Sequence, residues 1–590
     1  MDFQRLILFV IFAMSGVFLF QAWQKENAPP KPVAPITAPA DAKSDVPAAP
    51  AAATSANGSV PTAAPAAAAS GAVPSAANAA APAATAGEVF TVKTDLFEAK
   101  INTLGGVIEE VALKEHRDAA DKSKPYLVLQ KNKDRTHVAQ SGLIGAGLPN
   151  HTTVYSKVSS NTDLGSAESL EVRLSAPIAS GGKADLVYTF KRGSYVVDVT
   201  YDITNGGSAA LSPAAYFHLH RDTKVTGSEN GMVGIFHGPA VYTEQDKYKK
   251  VDFKDIEKGK KGLYTAAADN GWVGMVEHYF VNAWLPKAGS KREYYTTKED
   301  GDLYRAGLKT PVGDIAAGAT GKISVPLYMG PQEQDRLKAA ATGLDLVVDY
   351  GMFTFIAAPM FWLLRWFHSM VANWGWAIVL LTILIKAVFY PLNAAAGRSM
   401  GKMKLVGPKM KELQTRYADD RVKLNQAMME LYKKEKINPL GGCLPIVIQI
   451  PVFIALYWVL IAAVELRHAP WIGWIKDLSG PDPFFVLPAL YAITAFAQSK
   501  LQPPAPGMDP IQQKVLQYMP VAFAVMFVFF PAGLVLYWTV SNLLQIAQQW
   551  QINRMLERDN AAAAAAALSR SSMRLICHCC AICNRFETVQ

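Results

Sequence analysis

Two kinds of hydrophobic pattern divide the chain. From residue 88 to about 345, short runs alternate apolar and polar positions, as in Val89-Phe-Thr-Val-Lys-Thr, Leu186-Val-Tyr-Thr-Phe, Tyr195-Val-Val-Asp-Val-Thr-Tyr and Ile323-Ser-Val-Pro-Leu-Tyr. A period of two puts every second side chain on one face of a strand. Glycine-rich breaks punctuate these runs at Gly105-Gly106, Gly181-Gly182 and Asn205-Gly206-Gly207. The pattern predicts an antiparallel β domain over 88–348, most simply a sandwich.

Beyond Met352 the alternation gives way to long apolar runs. Trp374–Leu392 and Leu444–Val464 read as membrane spans, and Phe484–Ser499 as a shorter one. Gln512–Asn553 is one apolar tract broken by Pro531-Ala-Gly533. At the other end, Arg5 precedes the apolar run Leu6–Phe20, and no small-x-small cleavage pattern follows closely. Residues 1–25 are therefore read as an uncleaved signal anchor rather than a removed signal peptide. Residues 26–87 are mostly Ala, Pro, Ser and Thr, a composition that cannot bury a core and predicts a disordered tether.

Charge decides how the apolar runs cross. Between Arg398 and Lys436 stand eleven basic residues against five acidic ones. A short loop this basic belongs in the cytoplasm. The β domain follows the signal anchor and lies on the opposite side, so an odd number of crossings separates the two. Trp374–Leu392 supplies one, which leaves 349–372 as an amphipathic helix in the outer interface. Lys514 and Arg554 flank the last tract, and both favour the cytoplasm, so that tract crosses twice and turns at Pro531-Ala-Gly533. The expected whole is six transmembrane helices with both termini inside. A five-helix core over 373–555 carries a cytoplasmic helical hairpin at 394–438, and 556–590 form a cytoplasmic tail.

Composition narrows the chemistry. Half of the 590 residues are hydrophobic and the net charge is +9. The β segment contains no cysteine, so disulfides do not staple it. There is no P-loop, dinucleotide fingerprint or zinc-protease motif, and we expect neither an enzyme nor a cofactor. His218 and His220 share a strand face but have no third ligand at an evident spacing. Cys577, Cys579, Cys580 and Cys583 are too crowded for a standard zinc ribbon, so no metal is expected. Nor is sequence-specific nucleic-acid binding.

Lys386 is the most informative single residue. It interrupts an apolar span about 18 Å from Trp374 and about 9 Å from Leu392, in the cytoplasmic half of the bilayer. A lysine at mid-span costs about 2.5–3.5 kcal/mol. It either snorkels to the interface or faces a water-filled cavity with Thr382, one turn earlier. Gln449 lies within the next span, and Trp538, Ser541, Asn542 and Gln545 share a helical face in the last. Singly these are helix-packing residues; together they supply enough polar groups to line a groove. A transporter or channel built on Lys386, and an envelope enzyme or glycan binder built on the β domain, are the competing readings.

Several strings then point one way. Lys386-Ala-Val-Phe-Tyr-Pro-Leu, Asn438-Pro-Leu-Gly-Gly-Cys-Leu-Pro, Gln449-Ile-Pro, Glu465-Leu-Arg and Pro531-Ala-Gly-Leu-Val-Leu-Tyr-Trp-Thr-Val-Ser-Asn occur in order between about 350 and 555. This region resembles the Oxa/YidC/Alb family of membrane insertases, and the N-terminal part resembles its Gram-negative form. The resemblance implies a periplasmic β-supersandwich and a hydrophilic groove in the inner leaflet of the inner membrane. It implies nascent membrane proteins, the Sec translocon, ribosomes and membrane lipids as partners. Lys386 stands where the family usually has arginine, which keeps charge but loses bidentate hydrogen bonding. Thr382 and Gln449 match its polar groove positions, and Trp538 stands where tyrosine is frequent. Family members often end in a basic segment that touches ribosomes. Here Ala561–Ala567 leads to the Cys-rich end. The candidate ribosome and delivery surface is therefore the hairpin, with Lys402, Lys404, Lys409, Lys411, Arg416, Arg421, Lys423, Lys433 and Lys434.

Overall fold

A computed structural model of the protein describes residues 87–118, 121–224, 236–417, 420–435, 444–501 and 524–587, with single positions at 514, 518, 519 and 522. The expected anchor and tether lie outside these residues.

The alternating segment forms two nine-stranded sheets whose pairings are antiparallel. One sheet runs from the edge strand Val89–Lys93 to the edge strand Ala267–Ala268, with Ala214–Asp222 between Thr136–Ile144 and Leu303–Pro311. The other runs from Lys247–Lys250 to Ser156–Lys157. The period-two reading holds along Ser169–Pro177, where Leu170, Val172, Leu174 and Ala176 are buried between more exposed neighbours. The sheets pack face to face through aromatic pairs from opposite layers. Phe217 meets Trp284 at 5.1 Å, and Tyr126 stacks on Phe280 at 3.9 Å. Two of the glycine breaks lie against each other. Gly182 has φ +93°, and a Cβ there would sit 2.1 Å from the Thr204 carbonyl oxygen, so only glycine closes this hairpin end.

Polar groups are also buried between the layers. Glu277 follows the strand Trp272–Val276 of the second sheet, accepts from Arg135 and the Tyr126 hydroxyl (2.8 Å), and forms an ion pair with Arg221 (3.1 Å), all from the first-sheet side. Burial raises the Glu277 carboxyl, but Arg221, His137 and Arg135 outweigh it and hold the group well below the ordinary range. His116, His137, His151 and His220 are each pushed by burial from 6.5 to about 4. The unfolded chain therefore takes up protons from about pH 6.5 downward, whereas the folded domain resists until about pH 4. Stability of the β domain should fall as pH drops through that window, by up to about 1.4 kcal/mol per pH unit per histidine. Urea midpoints at pH 7.5 and 5 measure this; equal midpoints would contradict the assignment of these histidines as buried and neutral.

The helices follow in chain order. Two short ones, α1 (Phe253–Glu257) and α2 (Gln334–Ala340), belong to the β domain. Then come α3 (Thr354–Val371), α4 (Trp374–Arg416), α5 (Arg421–Lys434), α6 (Leu444–Ala462), α7 (Val486–Leu501) and α8 (Ala532–Glu587). Helix α3 buries Ala357, Met360, Phe361 and Leu364, a single stripe at helical spacing. It leaves Phe355, Trp362, Trp366 and Met370 exposed. It stops at Ala372, which adopts φ +50°, and Asn373 caps α4 by accepting from the Trp376 amide at 3.1 Å.

The hairpin differs from expectation in one respect. Within 394–438 its first arm is not a helix of its own, because α4 continues the span unbroken to Arg416 through Pro391 and Pro408. Packing of Val406 and Met410 against Met428, Leu431 and Tyr432 offsets the backbone bonds the prolines remove. Asp420 caps the second arm by accepting from the Val422 and Lys423 amides. The break in the last apolar tract falls just ahead of the expected place: residues 528–530 turn, Pro531 bridges to Pro481, and Ala532 and Gly533 already belong to α8. Among the described residues one helix, Trp374–Ser399, is long and apolar enough to cross a membrane, and Val447–Ala462 is a shorter apolar helix.

Candidate functional site

The polar residues of the apolar region gather where α4 meets α8. Lys386 projects from α4 three turns after its cap, and its Nζ donates to Gln545 Oε1 of α8 at 3.0 Å. Among the described residues no carboxylate lies within ion-pairing distance of this ammonium. Among those residues its charge is met by the Gln545 amide dipole. One to two turns further along, Asn393 Nδ2 donates to Gln548 Oε1 at 3.3 Å, and Gln548 Nε2 donates to the Tyr390 carbonyl at 3.4 Å. These contacts form a polar seam down the α4–α8 boundary. Asn393 and Gln548 are both buried, and the sequence reading missed them. Their signal was present, since Asn393 lies seven residues after Lys386 and Gln548 three after Gln545, one helical face in each case.

The other expected residues take different places. Thr382 is buried and its Oγ1 donates to the Ile378 carbonyl at 2.7 Å, so its hydroxyl is satisfied within α4. Gln449 is half-buried on α6 beside the Tyr537 hydroxyl. Ser541 is buried on α8. Asn542 lies beside the Tyr491 hydroxyl, but its buried Nδ2 makes no hydrogen bond of normal geometry. Trp538 belongs to an apolar nest, stacked on Phe527 at 4.1 Å and Phe453 at 5.2 Å. The face of α8 thus changes along its length, from aromatic at Trp538 to polar at Gln545 and Gln548.

The basic hairpin is mostly open. Lys409 pairs with Glu435 at 2.7 Å, Arg416 with Glu412 at 3.4 Å and Lys423 with Asp420 at 3.1 Å. Lys411 is exposed, as are Lys433 and Lys434 at the end of α5. Lys402 and Lys404 stand on the extension of α4, and Arg421 opens α5. In the β domain, His218 bonds Gln140 at 2.8 Å and Tyr295 at 2.9 Å, and the neutral His220 ring has its Nε2 3.1 Å from Glu299. The cysteines of 577–583 lie outside the residues whose side chains are described.

The opposite end of the helical region locks onto the β domain. His278 Nε2 donates to the Ile461 carbonyl at 3.1 Å, and Lys122 pairs with Asp477 at 3.2 Å. Arg467 lies over the Tyr126 and Phe280 rings at 5.1 and 5.5 Å. Asp335 holds Arg365 of α3 with two hydrogen bonds.

Comparison with known proteins agrees with this two-part architecture. Residues 89–363 match the YidC periplasmic domain family, and residues 366–559 match the 60Kd inner membrane protein family. A membrane protein insertase YidC of Cupriavidus necator is 51% identical over 567 residues, covering 96% of this chain and 100% of the relative. The protein of the same name from Dechloromonas aromatica is 49% identical over 570 residues, covering 95% and 99%. A crystal structure of an active YidC insertase aligns with 79% of this chain and 94% of its own at 17% identity, with a TM-score of 0.34. On full-length identity and both matched regions, this chain belongs to the YidC family of membrane protein insertases.

Proposed function

We infer that this chain inserts integral membrane proteins into the bacterial inner membrane, acting as an insertase and not as a catalyst of covalent chemistry. Membership of the YidC family supports this reading and gives no support to a solute transporter. We further propose six spans with both termini cytoplasmic, α3 in the outer interface and the α4–α5 hairpin in the cytoplasm. The exposed aromatic face of α3 and the basic hairpin support that arrangement. The hairpin is a candidate surface for ribosomes, whose phosphate backbone attracts basic groups. We also propose the Sec translocon as a partner in the membrane.

The mechanism follows from the cost of moving a polar flank through hydrocarbon. Unpaired polar groups lose several kcal/mol when they leave water. A wet groove in the inner leaflet, lined by Lys386, Gln545 and their neighbours, would hold the flank partway across and shorten the dry path. The client's apolar segment would meanwhile move along the spans into lipid, and its burial there would drive the step. The observation that carries this is the Lys386–Gln545 contact, a charge met across two helices with no counter-ion among the described residues. In a chain whose five native cysteines are first changed to alanine, the thiol of Lys386→Cys should react with a membrane-impermeant maleimide added from the cytoplasmic side. A thiol that stays unreactive until detergent is added would overturn the groove.

A further inference from the structure

A cavity of about 150 Å³ lies where the β domain meets the end of α6 that carries Trp458 and Ile461. Tyr248, Lys250, Gln332 and Asp349 line it from one side, and Trp458 and Ile461 from the other. Lys250 and Asp349 form an ion pair while keeping 35% and 41% of their side chains exposed, so both charges stay open to a visitor. The Tyr248 hydroxyl is buried with no hydrogen-bond partner. Leaving such a group unsatisfied costs about 1–3 kcal/mol. Glu277 also borders the cavity, but Arg135 and Arg221 already hold its carboxylate. Gln332 likewise donates to the Glu277 and Phe280 carbonyls, at 2.7 and 3.0 Å.

The chemistry offered is thus one unpartnered phenolic O–H and a half-exposed ion pair, Lys250 with Asp349, whose carboxylate also accepts from the Gly351 amide at 2.7 Å and whose two charges a zwitterion could share. An ammonium and a phenol together suit a phosphate oxygen, and a carboxylate suits a cationic amine. The volume falls below the roughly 300–1,000 Å³ of sites that enclose a drug-sized ligand. It admits a headgroup and not the chains behind it. Just after Asp349 in the sequence, Met352 and Phe355 are 70% and 73% exposed, an apolar ledge on which chains could lie.

We propose that this cavity binds the headgroup of an outer-leaflet phospholipid of the phosphoethanolamine class, with phosphate on Lys250 and Tyr248 and the primary ammonium on Asp349. The lipid acts as a wedge between the β domain and α6, beside the His278–Ile461 bond. The proposal rests on the outer end of α6 lying at the membrane surface. Labelling at position 386 tests the groove separately, so either idea can fail alone.

The test uses the full chain reconstituted with mixed dioleoyl-phosphatidylethanolamine and dioleoyl-phosphatidylglycerol, then extracted and examined by native mass spectrometry. The wild type should retain one phosphatidylethanolamine in preference to phosphatidylglycerol. Lys250→Met/Asp349→Asn removes both charges together, leaves no lone ion, and should lower that occupancy about tenfold. Tyr248→Phe changes no charge and should lower it about threefold; it carries the test if the double variant does not fold. Inorganic phosphate or free phosphoethanolamine at millimolar concentration should not displace the lipid. Equal retention by wild type and Tyr248→Phe, equal retention of the two lipids, or displacement by phosphate alone would each overturn the proposal.

Discussion

Replacing Lys386 with glutamate is expected to slow insertion of a client with an acidic leading flank by about tenfold or more, at equal protein levels. At about 6 Å and an effective dielectric near 20, a lysine attracts a carboxylate by about 3 kcal/mol, and a glutamate repels it by as much. Screening by groove water reduces that swing, and half of it still exceeds the 1.4 kcal/mol of a tenfold change. Lys386→Arg should retain insertion, because the charge stays and a guanidinium can still donate to Gln545. A client whose flank is neutral should be affected far less, which separates an electrostatic role from a damaged helix. The measurement is the rate of client protection from protease in vesicles carrying each variant. If Lys386→Glu inserts the acidic client at the wild-type rate, the charge has no part in the mechanism.

Glu277→Gln should produce the largest loss of stability. The substitution keeps the shape but removes the one carboxylate that, among the described residues, pairs with both Arg135 and Arg221. Both guanidiniums are nearly fully buried, at 6% and 0% side-chain exposure. Breaking such a buried pair costs about 3–5 kcal/mol, since the orphaned cations cannot reach water. That is a large share of the roughly 5–15 kcal/mol by which domains are stable. Pulse proteolysis of the full chain in urea reads the change, with the β domain's cleavage followed against the membrane region's. A double change, Glu277→Leu with Arg221→Met, should recover part of the loss because fewer charges remain buried. A shift below about 1 kcal/mol for Glu277→Gln would show that water or another acid already compensates the arginines.

How much of this was legible beforehand differs by residue. The strands were legible because period two is a local property, written in runs such as the one beginning at Val89, which forms the strand Val89–Lys93. The break near Pro531 was legible for the same reason, since proline acts on the backbone beside it. The site was legible in part. Lys386 stood out because a cation in an apolar span is costly wherever the helix packs. Its partner did not, because Gln545 is 159 residues away and only helix rotation decides what faces Lys386. Trp538 and Gln545 share a face by count, yet one packs in an aromatic nest and the other in the polar seam, which depends on what lies opposite.

The sequence by itself determined the division into an alternating β segment and apolar helices, the basic loop and the lysine isolated within an apolar run. Each follows from side-chain type at a fixed local spacing. Only the tertiary structure decided that Lys386 meets Gln545, that Asn393 and Gln548 extend the seam, and that Glu277 gathers cations from the opposite sheet. It also decided that Tyr248, Lys250 and Asp349 border one cavity with Trp458. Those outcomes depend on the orientation of elements far apart in the chain, and that orientation is set by the summed burial of whole faces rather than by any one residue.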